Sequence, residues 1–154
     1  MTSLCCKVLK ALKGKTLVTA ESCTGGGIGA ALTASPGSSE VFKGGVICYT
    51  DWVKHNILGV DQDTLDRYGA VSQPVAAAMA SGARRLLQSD IAVSVTGLAG
   101  PGTDEFGNQV GTVYIGYCSA SLSEVREFHF SGDRESVRRQ AVTEALNMVL
   151  ECQA

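Results

Sequence analysis

The chain is 154 residues long, 45% apolar and 18% charged, with a formal net charge of −2. That length and balance describe one folded domain able to bury its own core, and they exclude a disordered tail. The mild negative charge excludes a general nucleic-acid binder, which would carry a basic face, but not a local site for a small phosphorylated ligand.

Residues Met1 to Lys15 place Lys7, Lys10 and Lys13 among apolar residues at helical spacing. This predicts an amphipathic helix, not a secretory signal, which would need an unbroken apolar stretch and a cleavage site. Thr16 to Ala20 reads as a short buried strand, followed by a helix from Thr24 to Ala34 that Ser35-Pro36-Gly37 stops. Phe42 to Tyr49 is a second strand, and Asp51 to Leu58 and Asp61 to Tyr68 are short helices with Thr or Asp at hand as N-caps. Gln73 to Leu87, rich in Ala and Met, is the clearest long helix. Ile91 to Thr96 is a β-prone run stopped by Gly97. Gly111 to Ser119 and Ser123 to Phe130 read as an antiparallel hairpin, and a helix from Asp133 to Glu151 closes the chain. Helices alternating with strands, plus one hairpin, predict a three-layer α/β/α sandwich around a mixed, mostly parallel sheet, in a single domain over 1–154.

No apolar stretch reaches the roughly 20 residues that span a bilayer, so the expectation is a cytoplasmic protein without a membrane partner. The six cysteines, Cys5, Cys6, Cys23, Cys48, Cys118 and Cys152, form no C-x-x-C, and His55 and His129 are far apart. They predict mostly buried or inert thiols in a reducing compartment, with no metal site.

Eighteen glycines exceed the usual share of about 7%, and they gather where open α/β sheets bind ligands, at strand ends. Glu21 to Gly27 lies between a strand and a helix, a turn that lifts Ser22 clear of the sheet. Helix-start N–H groups there can hold a phosphate or an oxyanion, with Gly25 and Gly26 allowing close approach. The alternative is that Ser22 or Thr24 simply N-caps the helix. A serine nucleophile needs a base, and no histidine lies in a glycine-rich segment; His129, between Phe128 and Phe130 in a strand, reads as structural. Lysine is the other known partner. Lys54 falls in the first turn of a short helix, where the helix terminus and burial beside Tyr49 and Trp52 favour its neutral form while Asp51 opposes it. Its alternative is a solvated helix lysine. Thr96 to Gly102 follows a buried strand as a ligand-facing loop or a plain turn. Arg134 and Arg138, spaced i,i+4, share a helix face and form either an anion clamp or a basic patch.

Ala20-Glu21-Ser22-Cys23-Thr24-Gly25-Gly26 resembles the opening signature of the CinA C-terminal domain family. The likeness continues through Pro36-Gly37-Ser38-Ser39, Tyr49 with Lys54, Leu58-Gly59-Val60 and Gly69-Ala70-Val71-Ser72. It resumes at Thr96-Gly97-Leu98-Ala99-Gly100-Pro101, Val110-Gly111-Thr112-Val113, and Gly132-Asp133-Arg134 with Arg138-Arg139-Gln140-Ala141, covering nearly the whole chain. The resemblance implies hydrolysis of nicotinamide mononucleotide to nicotinic acid mononucleotide and ammonia by a serine–lysine mechanism without metal or cofactor. It implies Ser22 as nucleophile, Lys54 as base and Tyr49 as an active-site neighbour. Thr24, Gly25 and Gly26, the loop with Thr96, Gly97, Ala99 and Gly100, and Arg134 or Arg138 would bind the nucleotide. A homo-oligomer is also implied, and a dimer is favoured because closed symmetric dimers are the commonest assemblies. The chain departs from the family pattern at Asp51-Trp52, where Asn-Glu is frequent, and at Gly102 to Gln109, where Gln109 stands for a usual Pro. Hydrolysis of another small amide, or a non-catalytic nucleotide- or partner-binding domain, are the competing functions.

Overall fold

The computed structural model describes residues 1–153. Helix α1 (Thr2–Ala11) buries Cys5 and Val8, with Leu12 just beyond, while Lys7, Lys10 and Lys13 stay exposed. This is the one-sided pattern its spacing predicts. Strand β1 (Leu17–Glu21) is buried along its length, and α2 (Gly27–Thr33) follows after a turn. Next come β2 (Phe42–Ile47), the short helices α3 (Asp51–Asn56) and α4 (Gln62–Tyr68), and the long α5 (Gln73–Leu86). Strands β3 (Ile91–Gly97), β4 (Thr112–Cys118) and β5 (Ser123–His129) precede the last helix, α6 (Arg134–Gln153).

The five strands form one sheet in the order β2-β1-β3-β4-β5. β1 pairs in parallel with both β2 and β3, whereas β3–β4 and β4–β5 are antiparallel. Four strands therefore run one way and β4 alone runs against them, so the sheet is mixed and mostly parallel as predicted. Alternate residues feed two cores. Leu17, Ile91, Val93, Val95, Val113 and Ile115 join the cluster beneath α1, α2 and α6. Val18, Ala20 and Ala92 join the cluster under α5, with Val75 and Met79. Strands buried on both faces are what helices on both sides of a sheet require. Close packing of α5 depends on small residues: Ser94 Oγ donates to Ala76 O at 2.7 Å, and a Cβ on its strand partner Gly116 would lie 2.7 Å from the same carbonyl.

Leaving β1, the chain goes to β2 by way of α2 on one face; leaving β2, it reaches β3 by way of α5 on the other. The strand order reverses at β1, so a crevice opens beyond the carboxyl ends of β1, β2 and β3, the usual ligand site of such sheets. Among the described residues, no helix is long and apolar enough to cross a membrane.

Candidate active site

A cleft of about 730 Å³ occupies that crevice, a size suited to a small-molecule ligand. Three strands deliver parts of its wall: β1 leads to Ser22 and Cys23, β2 leads to Tyr49, and β3 leads through Gly97 to Gly100. Helix α3 adds Asp51 and Lys54, and the start of α6 adds Arg134.

Ser22 and Lys54 meet at the floor. Lys54 is only 1% exposed, and its ammonium donates to Ser22 Oγ at 3.0 Å and to the Cys48 carbonyl at 2.9 Å. Thr50 starts α3 as its N-cap, accepting from the Val53 N–H, and so turns Lys54 inward rather than to solvent. Burial pushes Lys54 below the ordinary lysine value of 10.5, while the negative charge of Asp51 acts in the opposite sense. The sequence reading had Tyr49 and Trp52 burying this lysine. They do not bury with it: they are 57% and 66% exposed. Burial likewise pushes the Cys23 and Cys48 thiols up to about 11. Both remain protonated near neutral pH, which leaves Ser22 as the nucleophile-type group next to an amine.

The Ser22 turn is built differently from the sequence expectation. Helix α2 starts at Gly27, not Thr24, because Gly25 and Gly26 take positive φ values of 58° and 101°. Neither Ser22 nor Thr24 caps it. The cap is the buried carboxylate of Glu21, which accepts from the N–H groups of Ile28 and Gly29 at 2.8 and 3.0 Å. Those helix-start donors are therefore spent and face no ligand. The N–H groups of Cys23, Thr24 and Gly26 instead find no acceptor among the described residues. Sequence reasoning had assigned Glu21 no role. Its signal was a carboxylate closing an otherwise uncharged buried strand.

Thr96, Gly97, Ala99 and Gly100 line the cleft, whereas Thr24, Gly25 and Gly26 lie behind its wall. Thr96 Oγ1 donates to Ala70 O at 2.8 Å, tying β3 to the segment before α5. The two arginines on one helix face part company. Arg134 lines the cleft and donates to Gly100 O at 2.7 Å and to Tyr49 Oη at 3.0 Å. Arg138 reaches the back of the Ser22 turn, donating to the Cys23 carbonyl at 3.0 Å and the Thr24 carbonyl at 3.3 Å, and is not part of the lining. His129 lies on β5, bonded to Glu127 and away from the cleft. Asp66, Asp104, Glu105 and Phe106 also line the cleft, and none of them was a predicted site residue. They come from α4 and from the atypical Gly102 to Gln109 stretch, which Asp104 folds by accepting from the Phe106 and Asn108 N–H groups.

Comparisons with known proteins match this arrangement. The family model described as the CinA C-terminal domain matches residues 1–153. A CinA-like protein of Parasynechococcus marenigrum (strain WH8102) is 50% identical over 139 residues, 87% of this chain and 32% of that protein. The chain spans about a third of the length of the curated relatives it matches. The crystal structure of a competence-damaged protein (CinA) superfamily protein from Klebsiella pneumoniae 700603 superposes with a TM-score of 0.96 at 36% identity, covering 99% of this chain and 96% of that one. The competence/damage inducible protein CihA from Agrobacterium tumefaciens gives 0.96 at 35% identity, over 99% and 95%. With a family model matched from end to end, this chain belongs to the CinA C-terminal domain family.

Proposed function

We propose that this protein is an amidohydrolase that converts nicotinamide mononucleotide to nicotinic acid mononucleotide and ammonia, with Ser22 as nucleophile and Lys54 as its base. The observation that carries this reading is the buried Lys54 amine 3.0 Å from Ser22 Oγ, at the floor of a nucleotide-sized cleft. A neutral amine keeps one N–H on the Cys48 carbonyl, which leaves its lone pair for the serine proton. Ser22 Oγ then attacks the carboxamide carbon, and the free N–H of Cys23, which lines the cleft, receives the oxyanion. Lys54 returns the proton to the departing nitrogen, ammonia leaves, and an acyl-serine remains. Water attacks that ester with Lys54 again as base, and the carboxylic acid departs as Ser22 is regenerated. Nothing in this sequence requires a cofactor.

The cleft chemistry supports a nucleotide carrying a cationic ring. Arg134 offers a guanidinium to the 5′-phosphate, and Asp51, Asp66, Asp104 and Glu105 put negative charge around the mouth for a pyridinium. A cytoplasmic setting and a homodimer belong to the same proposal. Exposed Ile47, Tyr49 and Trp52 beside the cleft are apolar surface that a second copy would cover.

Ammonia release from nicotinamide mononucleotide by the wild type, lost in folded Ser22→Ala and Lys54→Ala variants, is the expected result. No release at saturating substrate from folded wild type would sink the substrate assignment. The pH profile gives a second check. Lys54 must be neutral to act, so activity rises with pH through its lowered value. Asp51 holds that value up, so Asp51→Asn is expected to move the acid limb of kcat/KM to lower pH. A limb that stays in place would show that Asp51 does not act on the lysine.

A further inference from the structure

We infer that Phe106 is a specificity-determining residue: the open face of its ring, set among the carboxylates of Asp66, Asp104 and Glu105, receives a flat cationic ring of the ligand. The inference rests on the proposed reading of the cleft and adds how the ring, as distinct from the amide or the phosphate, is selected. Among the described residues, Tyr49 and Phe106 are the two aromatic side chains that line the cleft. Tyr49 stands with Arg134, whose guanidinium donates to its hydroxyl at 3.0 Å. Phe106 stands with the carboxylates and is 44% exposed.

The ring is firmly seated. A Cβ on Gly69 would lie 2.5, 2.7 and 3.0 Å from Cδ2, Cε2 and Cγ of Phe106. Three adjacent ring atoms so nearly equidistant put that point over the face of the ring and not off its edge. One face therefore rests on Gly69, and the other is turned away from it. Asp104 fixes the loop beneath, its Oδ1 accepting from the N–H groups of Phe106 at 3.1 Å and Asn108 at 3.0 Å. Asn108 Nδ2 donates to Asp104 Oδ2 at 2.7 Å and to Val71 O at 3.1 Å, which pins the loop to the segment before α5. That segment connects to the chemistry. Thr96 Oγ1 donates to Ala70 O, and Val95 O accepts from the Ser22 N–H. Two hydrogen bonds thus link the seat of Phe106 to Ser22, and Gly69, Ala70 and Thr96 on that path all line the cleft.

Charge completes the face. Asp66, Asp104 and Glu105 line the cleft beside Phe106, and none of the three is ion-paired among the described residues. The face of an aromatic ring is its negative side, so it attracts a cation laid over it. Carboxylates at its rim add to that attraction. A neutral ring of the same shape gains the stacking contact alone.

Two isosteric small amides test this without turnover: 1-methylnicotinamide, a cation, and 3-methylbenzamide, in which carbon replaces the ring nitrogen. In calorimetry on the whole chain, the wild type is expected to bind the cation about fivefold to thirtyfold more tightly than the neutral amide. Phe106→Leu keeps an apolar side chain over Gly69, so the melting temperature is expected to hold while that ratio falls by about threefold or more. Phe106→Trp is expected to restore it, since indole offers the stronger face. Asp66→Asn weakens the cation and spares the neutral amide, with the larger loss at low salt. Equal binding of the two amides by the wild type, binding of neither, or an unchanged ratio in Phe106→Leu would overturn the inference. A wild type that prefers the cation through Phe106 but releases no ammonia from nicotinamide mononucleotide sinks the amidohydrolase reading and leaves the ring face standing. Ammonia release with a ratio indifferent to Phe106 does the reverse.

Discussion

Lys54→Met is expected to cut amide hydrolysis by about 10² to 10⁴, the usual worth of a positioned base, and to flatten the dependence of stability on pH. The first effect follows from the 3.0 Å contact with Ser22, which a thioether cannot replace as proton acceptor. The second follows from burial. Lys54 is 1% exposed, and burial lowers its folded value from the 10.5 of a free lysine. Between those two values the unfolded chain binds more protons than the folded one, so wild-type stability rises with pH across that window. Below the folded value both states are protonated and the full penalty of the buried ammonium is present. Methionine has no proton to bind and removes this slope. In absolute terms the substitution loses two donated hydrogen bonds, worth about 0.5–1.5 kcal/mol each, and regains about 1.4 kcal/mol for each unit of lysine depression. The two act in opposite directions, so the slope rather than the offset is diagnostic. Urea unfolding at about pH 7 and about pH 9.5 measures it. Parallel behaviour of wild type and variant would mean that Lys54 does not titrate as a buried amine.

The same lysine marks what the sequence could and could not convey. Its place in a short helix after Thr50 was legible because Thr50-Asp51 is a cap-and-first-turn pattern. Its burial was attributable to the wrong neighbours, because the direction in which a six-residue helix faces is set by the strands it packs on. The layers, the sheet, the hairpin β4–β5 and the long helices α5 and α6 were readable from periodicity. The antiparallel pairing of β3 with β4 was not, since fourteen residues of loop between them carry no directional signal.

The misassigned details at the site share one cause. Gly25 and Gly26 were read as permissive residues inside a helix start, but positive φ at both ends the turn before the helix begins. That delay brings the N–H groups of Ile28 and Gly29, not those of Thr24 and Gly25, to Glu21. Arg134 and Arg138 were read together, as an anion clamp or a basic patch, because i,i+4 spacing does place them on one face. A face is not a destination: the loop after β3 lies opposite one arginine and the Ser22 turn opposite the other. Contacts between elements distant in sequence decide such cases.

Gly82→Ala tests how far the site depends on packing remote from it, and here two effects of opposite sign compete. In an exposed helix the change would stabilise by about 1 kcal/mol. Gly82, however, is buried in α5, and a Cβ there would sit 2.0 Å from the Leu58 carbonyl oxygen and 3.0 Å from its carbon. Both are backbone atoms, so no rotamer change relieves the clash, and overpacking of this kind costs about 1–3 kcal/mol or more. The clash wins, and the expected outcome is a net loss of about 2 kcal/mol in denaturant unfolding. The strain also points at the chemistry. Leu58 N–H bonds to Val53 O, and Val60 N–H bonds to Lys54 O, so displacing Leu58 displaces α3. A shift of even about 1 Å at a reacting group can cost a factor of about 10², so turnover is expected to fall well beyond what the unfolded fraction explains, with Ser22 and Lys54 both intact. Unchanged stability with wild-type turnover would mean that α5 and the Leu58 segment separate freely, and that the seat of Lys54 is set by β2 and the Ser22 turn alone.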